Sequence, residues 1–167
     1  GEIAAFDAAP LVAAGLSGLL AVSRGQQETP DPAPLLARQR GLTVTEQRNP
    51  DAGRYASLLT LRGAATVAGT IGAGEPRLVR LGEHWLDMAL SPSMLITRHH
   101  DRPGTIGAVG GILGTADINL SGMHLARSTP RADALMILAL DEPVPDEVAG
   151  QLRLLDAVLD LGVVQLT

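Results

Sequence analysis

Seven consecutive apolar residues, Ala134–Leu140, constrain the fold of this chain more than any other stretch. A strand at a sheet margin alternates apolar with polar residues, so an unbroken run this short reads as a central strand. The segments around it supply its neighbours. Leu95–His99 reads as a strand, and Gly104–Ala116 as a helix with Ile106, Val109, Leu113 and Ala116 along one side. Ile118–Ala126 reads as a second strand, and Thr129-Pro130-Arg131-Ala132-Asp133 turns the chain into the apolar run. Pro145-Asp146-Glu147 starts a second helix with Val148, Leu152 and Leu155 inward, and Val163–Leu166 closes as a strand. The order βαββαβ is the split-βαβ, ferredoxin-like arrangement.

The residues before Ser91-Pro92-Ser93 follow a different rhythm, and that tripeptide reads as a domain boundary. Asp7 caps a helix running to about Leu20, with Leu11, Leu16, Leu19 and Leu20 on its apolar side. Residues 24–33 are polar and carry prolines, hence a loop, and Asp31-Pro32 opens a short helix that Gly41 closes. Strands are expected over Leu42–Glu46, Tyr55–Leu61 and Ala65–Ile71, the last after a Gly63-Ala64 turn. Arg77–Leu81 and His84–Met88 flank a second two-residue turn, Gly82-Glu83. The fold class is therefore α+β: a mixed α/β domain over 1–92, then a ferredoxin-like domain over 93–167.

Composition removes several classes of function. A net charge of -5 and a pI near 5.2 do not supply the clustered cations of a nucleic-acid surface. Three aromatic residues, Phe6, Tyr55 and Trp85, make no base-stacking platform. With no cysteine there is no disulfide, thiol nucleophile or thiolate-bound metal, which fits a cytoplasmic protein. No run of 18 apolar residues offers a membrane span. The opening Gly1-Glu2-Ile3 has neither methionine nor a basic signal head and reads as an internal cut in a longer polypeptide.

The chemistry concentrates in His99-His100-Asp101-Arg102-Pro103-Gly104, with Asn119 further on. This stretch joins a strand to a helix whose first N–H groups have no intrahelical partners, next to a carboxylate. Such a loop suits a small zwitterion: the backbone at Pro103 and Gly104 receives its carboxylate and Asp101 its ammonium. Asp101 also has a plainer role as a helix cap, and Asn119 as a turn residue, although its amide both donates and accepts. His99 suits a ligand hydroxyl. His99 and His100 point to opposite faces of a strand and do not readily share a metal ion, so no metal site is expected. If Gly82-Glu83 is a two-residue turn, Arg77 pairs with Met88 and shares a face with His84, where both could flank an anion. Arg80 then lies beside Trp85 in a packing or cation–π pair. Gly69-Thr70-Ile71-Gly72-Ala73-Gly74 and Gly107-Ala108-Val109-Gly110-Gly111 lack the spacing of a dinucleotide loop, and the helix glycines read as allowing close helix–sheet approach. No catalytic residue is assigned.

The His-x-Asp-Arg-Pro-Gly stretch, the glycine-bearing helix and Ala116-Asp117-Ile118-Asn119 resemble an ACT domain, the small-molecule sensor of amino-acid metabolism. The first half, from Gly1-Glu2-Ile3-Ala4 to His84-Trp85-Leu86-Asp87, resembles the intervening, allosteric substrate-binding domain of long-form D-3-phosphoglycerate dehydrogenases. The resemblance implies a regulatory fragment of an NAD-dependent oxidoreductase of serine biosynthesis. The fragment would be inactive alone and carry no cofactor, with NAD in the missing catalytic part. It further implies L-serine or a similar amino acid held between two ACT domains of a homodimer or larger homo-oligomer, by His99, Asp101 and Asn119. Phosphate or phosphoglycerate would sit near Arg77 and His84, although Asp87-Met88-Ala89-Leu90 lacks a further arginine that relatives carry. Two other identities fit an ACT domain: the regulatory part of another enzyme, such as L-serine dehydratase, or a free-standing amino-acid-binding module.

Overall fold

The computed structural model describes residues 1–21 and 33–166. They belong to two compact units, Gly1–Leu61 and Arg62–Thr167.

In the first unit a short 3-10 helix, Glu2–Ala5, precedes α1 (Ala9–Ala21). Asp7 Oδ1 accepts the Ala9 N–H at 3.0 Å, the capping role expected of it, and Pro10 stands harmlessly in the first turn. Helix α2 (Ala33–Gln39) closes at Gly41, whose φ is +74. The N–H groups of Gly41 and Leu42 donate back to Arg38 O at 3.0 Å and Ala37 O at 2.9 Å, the pattern of a glycine C-cap. Leu16 and Leu20 of α1 pack on Ala33 and Ala37 of α2, while Leu19, expected on the same side, is exposed. The Asp31-Pro32 helix start and the loop expected over 24–33 lie outside the described residues, except for Ala33, which opens α2.

Two expected strands change here. Leu42–Glu46 alternates as a strand does, yet residues 41–50 are all exposed and no strand pairs with it among the described residues. The strand expected over Tyr55–Leu61 shortens to β1 (Leu59–Arg62). Local turns ahead of the expected strand run into its first residue: the Asp51 and Gly53 N–H groups donate to Asn49 Oδ1 at 2.9 Å and Asp51 Oδ1 at 2.8 Å, and the Tyr55 N–H to Ala52 O at 3.2 Å. The division between the units falls inside β1.

The second unit contains two sheets. In the first, β2 (Thr66–Gly72), β3 (Glu75–Leu81) and β4 (His84–Ala89) are successive antiparallel neighbours. Gly82-Glu83 forms the expected turn, with Gly82 at φ +59, Leu81 opposite His84 and Arg80 opposite Trp85. A bulge between Leu78 and Arg80 then shifts the register, so Arg77 faces Ala89 and not Met88. The second sheet follows the order β5 (Ser93–His100), α3 (Thr105–Thr115), β6 (Leu120–Arg127), β7 (Asp133–Leu140), α4 (Asp146–Arg153), β8 (Val158–Gln165). Its strands are all antiparallel, arranged β6-β7-β5-β8, the ferredoxin-like topology of an ACT domain.

The apolar run is explained by what covers β7. Met136, Leu138 and Leu140 pack with Val109 and Leu113 of α3 and Val148 and Leu152 of α4. Leu135, Ile137 and Ala139 pack on the opposite side with Leu86 and Met88 of β4. Both faces are dry, and each large side chain contributes about 1.5–3 kcal/mol of transfer free energy. Ile106 departs from expectation: Thr105, Val109 and Leu113 form the inward stripe of α3, and Ile106, about 100° further round, is 42% exposed. The helix glycines do not bring α3 closer to the sheet either, because a Cβ at Gly107, Gly110, Gly111 or Gly114 would meet nothing within 4 Å.

Candidate ligand-binding site

Strand β5 sends His99 and His100 to opposite faces, as their adjacency requires. His99 is 1% exposed, with Nδ1 3.3 Å from the hydroxyl of buried Thr97. Burial pushes its pKa below the ordinary 6.5, outweighing the attraction of the nearby Asp101 carboxylate. His100 is partly exposed and places Nδ1 3.0 Å from Asp133 Oδ1; the other carboxylate oxygen faces Arg98 at 3.4 Å.

Asp101 begins the loop beyond β5. Its N–H donates to Ala132 O at 2.8 Å, tying the loop to the turn before β7. Its Oδ2 accepts the Arg131 N–H at 3.0 Å and also takes the Arg127 guanidinium at the end of β6. The Arg131 N–H and, next, the Arg127 side chain hold this carboxyl below the usual carboxylate range. Arg131 makes its contact from a left-handed backbone, φ +64. Both donors converge on Oδ2, and Oδ1 has no donor among the described hydrogen bonds. Pro103 follows in the loop, and Gly104, at φ +93, is the N-cap of α3. The first-turn N–H groups of α3 beyond it have no intrahelical acceptors. One ionised carboxylate and one positive helix end therefore stand side by side.

Asn119 is not there. Leu120 pairs with Leu140, which pairs with Ser93 at the start of β5, whereas Arg127 pairs with Ala134, which pairs with His99 near its end. Asn119 and Asp101 thus sit at opposite ends of the sheet, separated by roughly 25 Å for an eight-residue strand. At its own end Asn119 Nδ2 donates to Asp141 Oδ2 at 2.6 Å, and its N–H to Glu142 Oε2 at 2.7 Å.

Arg77 and His84 are also kept apart. The bulge leaves Arg77 on the face of Asp87, with which it forms an ion pair, while His84 shares the side of Leu86 and Met88. Arg80 lies over Trp85, its guanidinium carbon 5.2 Å from the ring centroid, as the hairpin requires. Neither glycine run fits a dinucleotide: Gly69–Gly74 lies in β2 and its turn, and Gly107–Gly111 lies within α3. Among the described residues no group of three or more His, Asp or Glu is placed to hold a metal ion.

Sequence reasoning missed Arg127 and Arg131 as partners of Asp101, and Asp141 and Glu142 as partners of Asn119. These partners are 26, 30, 22 and 23 residues away along the chain. Only the strand pairing brings them near, so no local motif announces them.

Comparison with known proteins places both halves. Residues 1–82 match the family model of the D-3-phosphoglycerate dehydrogenase intervening domain, and residues 93–155 match that of the ACT domain. A D-3-phosphoglycerate dehydrogenase of Synechocystis is 30% identical over 173 residues, covering 99% of this chain and 31% of its own length. One from Archaeoglobus fulgidus is 31% identical over 138 residues, covering 78% of this chain and 26% of itself. One from Mycobacterium tuberculosis is 30% identical over 156 residues, covering 89% and 30%. The chain therefore spans under a third of the length of these relatives. With its two family domains in this order, the chain belongs to the regulatory, intervening-plus-ACT region of the D-3-phosphoglycerate dehydrogenase family.

Proposed function

We propose that this region binds L-serine, or a closely similar amino acid, between the ACT domains of two copies, and that binding restrains an NAD-dependent catalytic part of the same enzyme. Residues 1–92 and 93–167 are assigned as the intervening and ACT domains. The match of residues 1–82 to the dehydrogenase intervening domain favours this parent over a serine dehydratase or a free-standing sensor.

The observation that carries the reading is the ionised Asp101, with Oδ1 uncommitted, beside the N-terminus of α3. The pair matches the ammonium and carboxylate of an α-amino acid. Asn119 joins such a ligand only from a second copy. β6 is an edge strand with Met123 51% and Leu125 36% exposed; Arg127 stands at its end, and Asn119, bonded to Asp141 and Glu142 beyond β7, precedes its start. Antiparallel pairing of two β6 edges about a two-fold axis would bring the Asn119 end of one copy to the Asp101 end of the other. His99 would act from beneath the loop. A phosphate or phosphoglycerate site at Arg77 and His84 has less support, since the two lie on opposite faces.

A ligand shared by two copies favours one domain arrangement, and a coupling of about 1–3 kcal/mol gives roughly 5–150-fold control of turnover. The test is calorimetry with L-serine on the chain and on its Asp101→Ala and Asn119→Ala variants. Each variant should weaken binding by about tenfold or more, a charged or buried hydrogen bond contributing about 1.5–3 kcal/mol. Absent binding by the native chain, or equal binding by all three proteins, refutes the reading.

A further inference from the structure

Asn119 is held more firmly than a turn residue needs. Ile118 before it is buried in the core beside α3, and its N–H donates to Leu113 O at 3.0 Å. Asp117 turns the chain there from a left-handed backbone, φ +57. Asn119 is then tied to the segment that follows β7 through its N–H, its C=O and its side chain. The N–H donates to Glu142 Oε2 at 2.7 Å, the C=O accepts the Asp141 N–H at 3.1 Å, and Nδ2 donates to Asp141 Oδ2 at 2.6 Å. An ionised carboxylate only accepts, so the amide is oriented: the reverse flip would set Oδ1 against Asp141 with no proton between them. Oδ1 has no donor among the described hydrogen bonds.

A free asparagine offers a ligand a donor or an acceptor equally well. Asp141 removes that choice by committing Nδ2 and leaving Oδ1 as the open acceptor. Asp101 repeats the arrangement at the other end of the sheet, with its N–H and Oδ2 committed and Oδ1 without a described donor. Both halves of the proposed site therefore present one acceptor oxygen. A ligand group that meets both oxygens needs at least two protons to give. A primary ammonium has three and a hydroxyl has one.

We infer that Asp141 is a positioning residue for Asn119, turning its oxygen toward the ligand, and that the ligand group shared between two copies is a primary ammonium. Asp141 itself does not touch the ligand. The inference rests on the amino-acid reading above and gives a role to a residue which that reading leaves without one. Calorimetry with L-serine and with L-glycerate, which carries a hydroxyl in place of the ammonium, tests it on the native chain, Asp141→Ala and Asp141→Asn. Asp141→Ala should weaken L-serine by about fivefold, because binding must then order a freed side chain. Asp141→Asn keeps an acceptor for Nδ2 and should restore binding to within about twofold of the native chain. L-Glycerate should bind the native chain about tenfold more weakly than L-serine, or worse. Without any ligand, one Asn119 Nδ2 proton should resonate downfield through its bond to the carboxylate, and Asp141→Ala should abolish that shift. An amide resonance that Asp141→Ala leaves unchanged overturns the inference and leaves the serine reading standing. So does unaltered L-serine affinity in Asp141→Ala, or an Asp141→Asn variant as weak as Asp141→Ala, which makes charge and not orientation the cause. L-Glycerate that binds as tightly as L-serine overturns the ammonium assignment. A native chain that binds no L-serine overturns both readings.

Discussion

Replacing Gly107 and Gly111 together by alanine should stabilise the second unit, while the same replacement at Gly104 should destabilise it. Gly107 and Gly111 are interior residues of α3 with ordinary helical backbone, and an added methyl at either meets nothing within 4 Å. The methyl therefore neither clashes nor packs, and the effect is the conformational freedom that glycine loses on entering a helix, about 0.5–1 kcal/mol per site. The two residues are one helical turn apart and their new methyls do not collide, so the effects should add to about 1–2 kcal/mol. At roughly 2–4 °C per kcal/mol for a chain of this size, the thermal midpoint should rise by about 2–8 °C, with a matching rise in urea midpoint. Gly104 is also open to solvent, but its φ is +93. Alanine there is strained whatever the room, by about 1–2 kcal/mol, and should lower both midpoints. If the double variant is destabilised, the reasoning is refuted: the glycine face of α3 must then be packed against something, such as another copy. A Gly104→Ala variant as stable as the parent would refute the backbone argument instead.

Two further outcomes follow from burial. His99 has its pKa held below 6.5 in the folded chain, so the unfolded chain binds the extra proton; stability should fall as pH drops below about 6.5, and urea midpoints for the native chain and His99→Gln between pH 5 and 7.5 should show the smaller slope in the variant. Leu138→Ala, at a position 1% exposed on the helix side of β7, should cost about 2–5 kcal/mol by urea denaturation, and a loss below about 1 kcal/mol would mean that the central strand is not packed as described.

The ferredoxin-like half was legible because each element there is decided locally. Ala134–Leu140 has no polar residue and must be covered on both faces; Pro145-Asp146-Glu147 opens a helix, and Arg102-Pro103-Gly104 sets up another. The first half was harder. The alternation of Leu42–Glu46 is real, but a strand exists only through a neighbour, and alternation does not say whether one is present. The register between β3 and β4 failed for a related reason. Gly82-Glu83 fixes the pairing at the turn, yet the bulge beyond Leu81 is a property of the whole sheet, and one residue of slip moved Arg77 away from the face of His84.

At the candidate site the residue types were legible and their distances were not. Asp101 and Asn119 stand 18 positions apart, separated by one helix, which invites the thought that they meet. The path shows why they do not. β5 climbs to Asp101, α3 returns down the sheet, and β6 starts again from the bottom, so the residue that opens β6 is always at the far end from the residue that follows β5. A βαβ crossover has this consequence whatever its sequence. On the proposed reading the two residues meet across a two-fold axis that reverses one sheet against another, and the β6 edge carries Asn119 at one end and Arg127, the partner of Asp101, at the other. On that reading Asp101, held ionised by Arg127 and the Arg131 N–H, supplies one half of the site within one chain. If one ligand spans both residues, as proposed, the topology makes a second copy necessary and ties that ligand to the arrangement of domains.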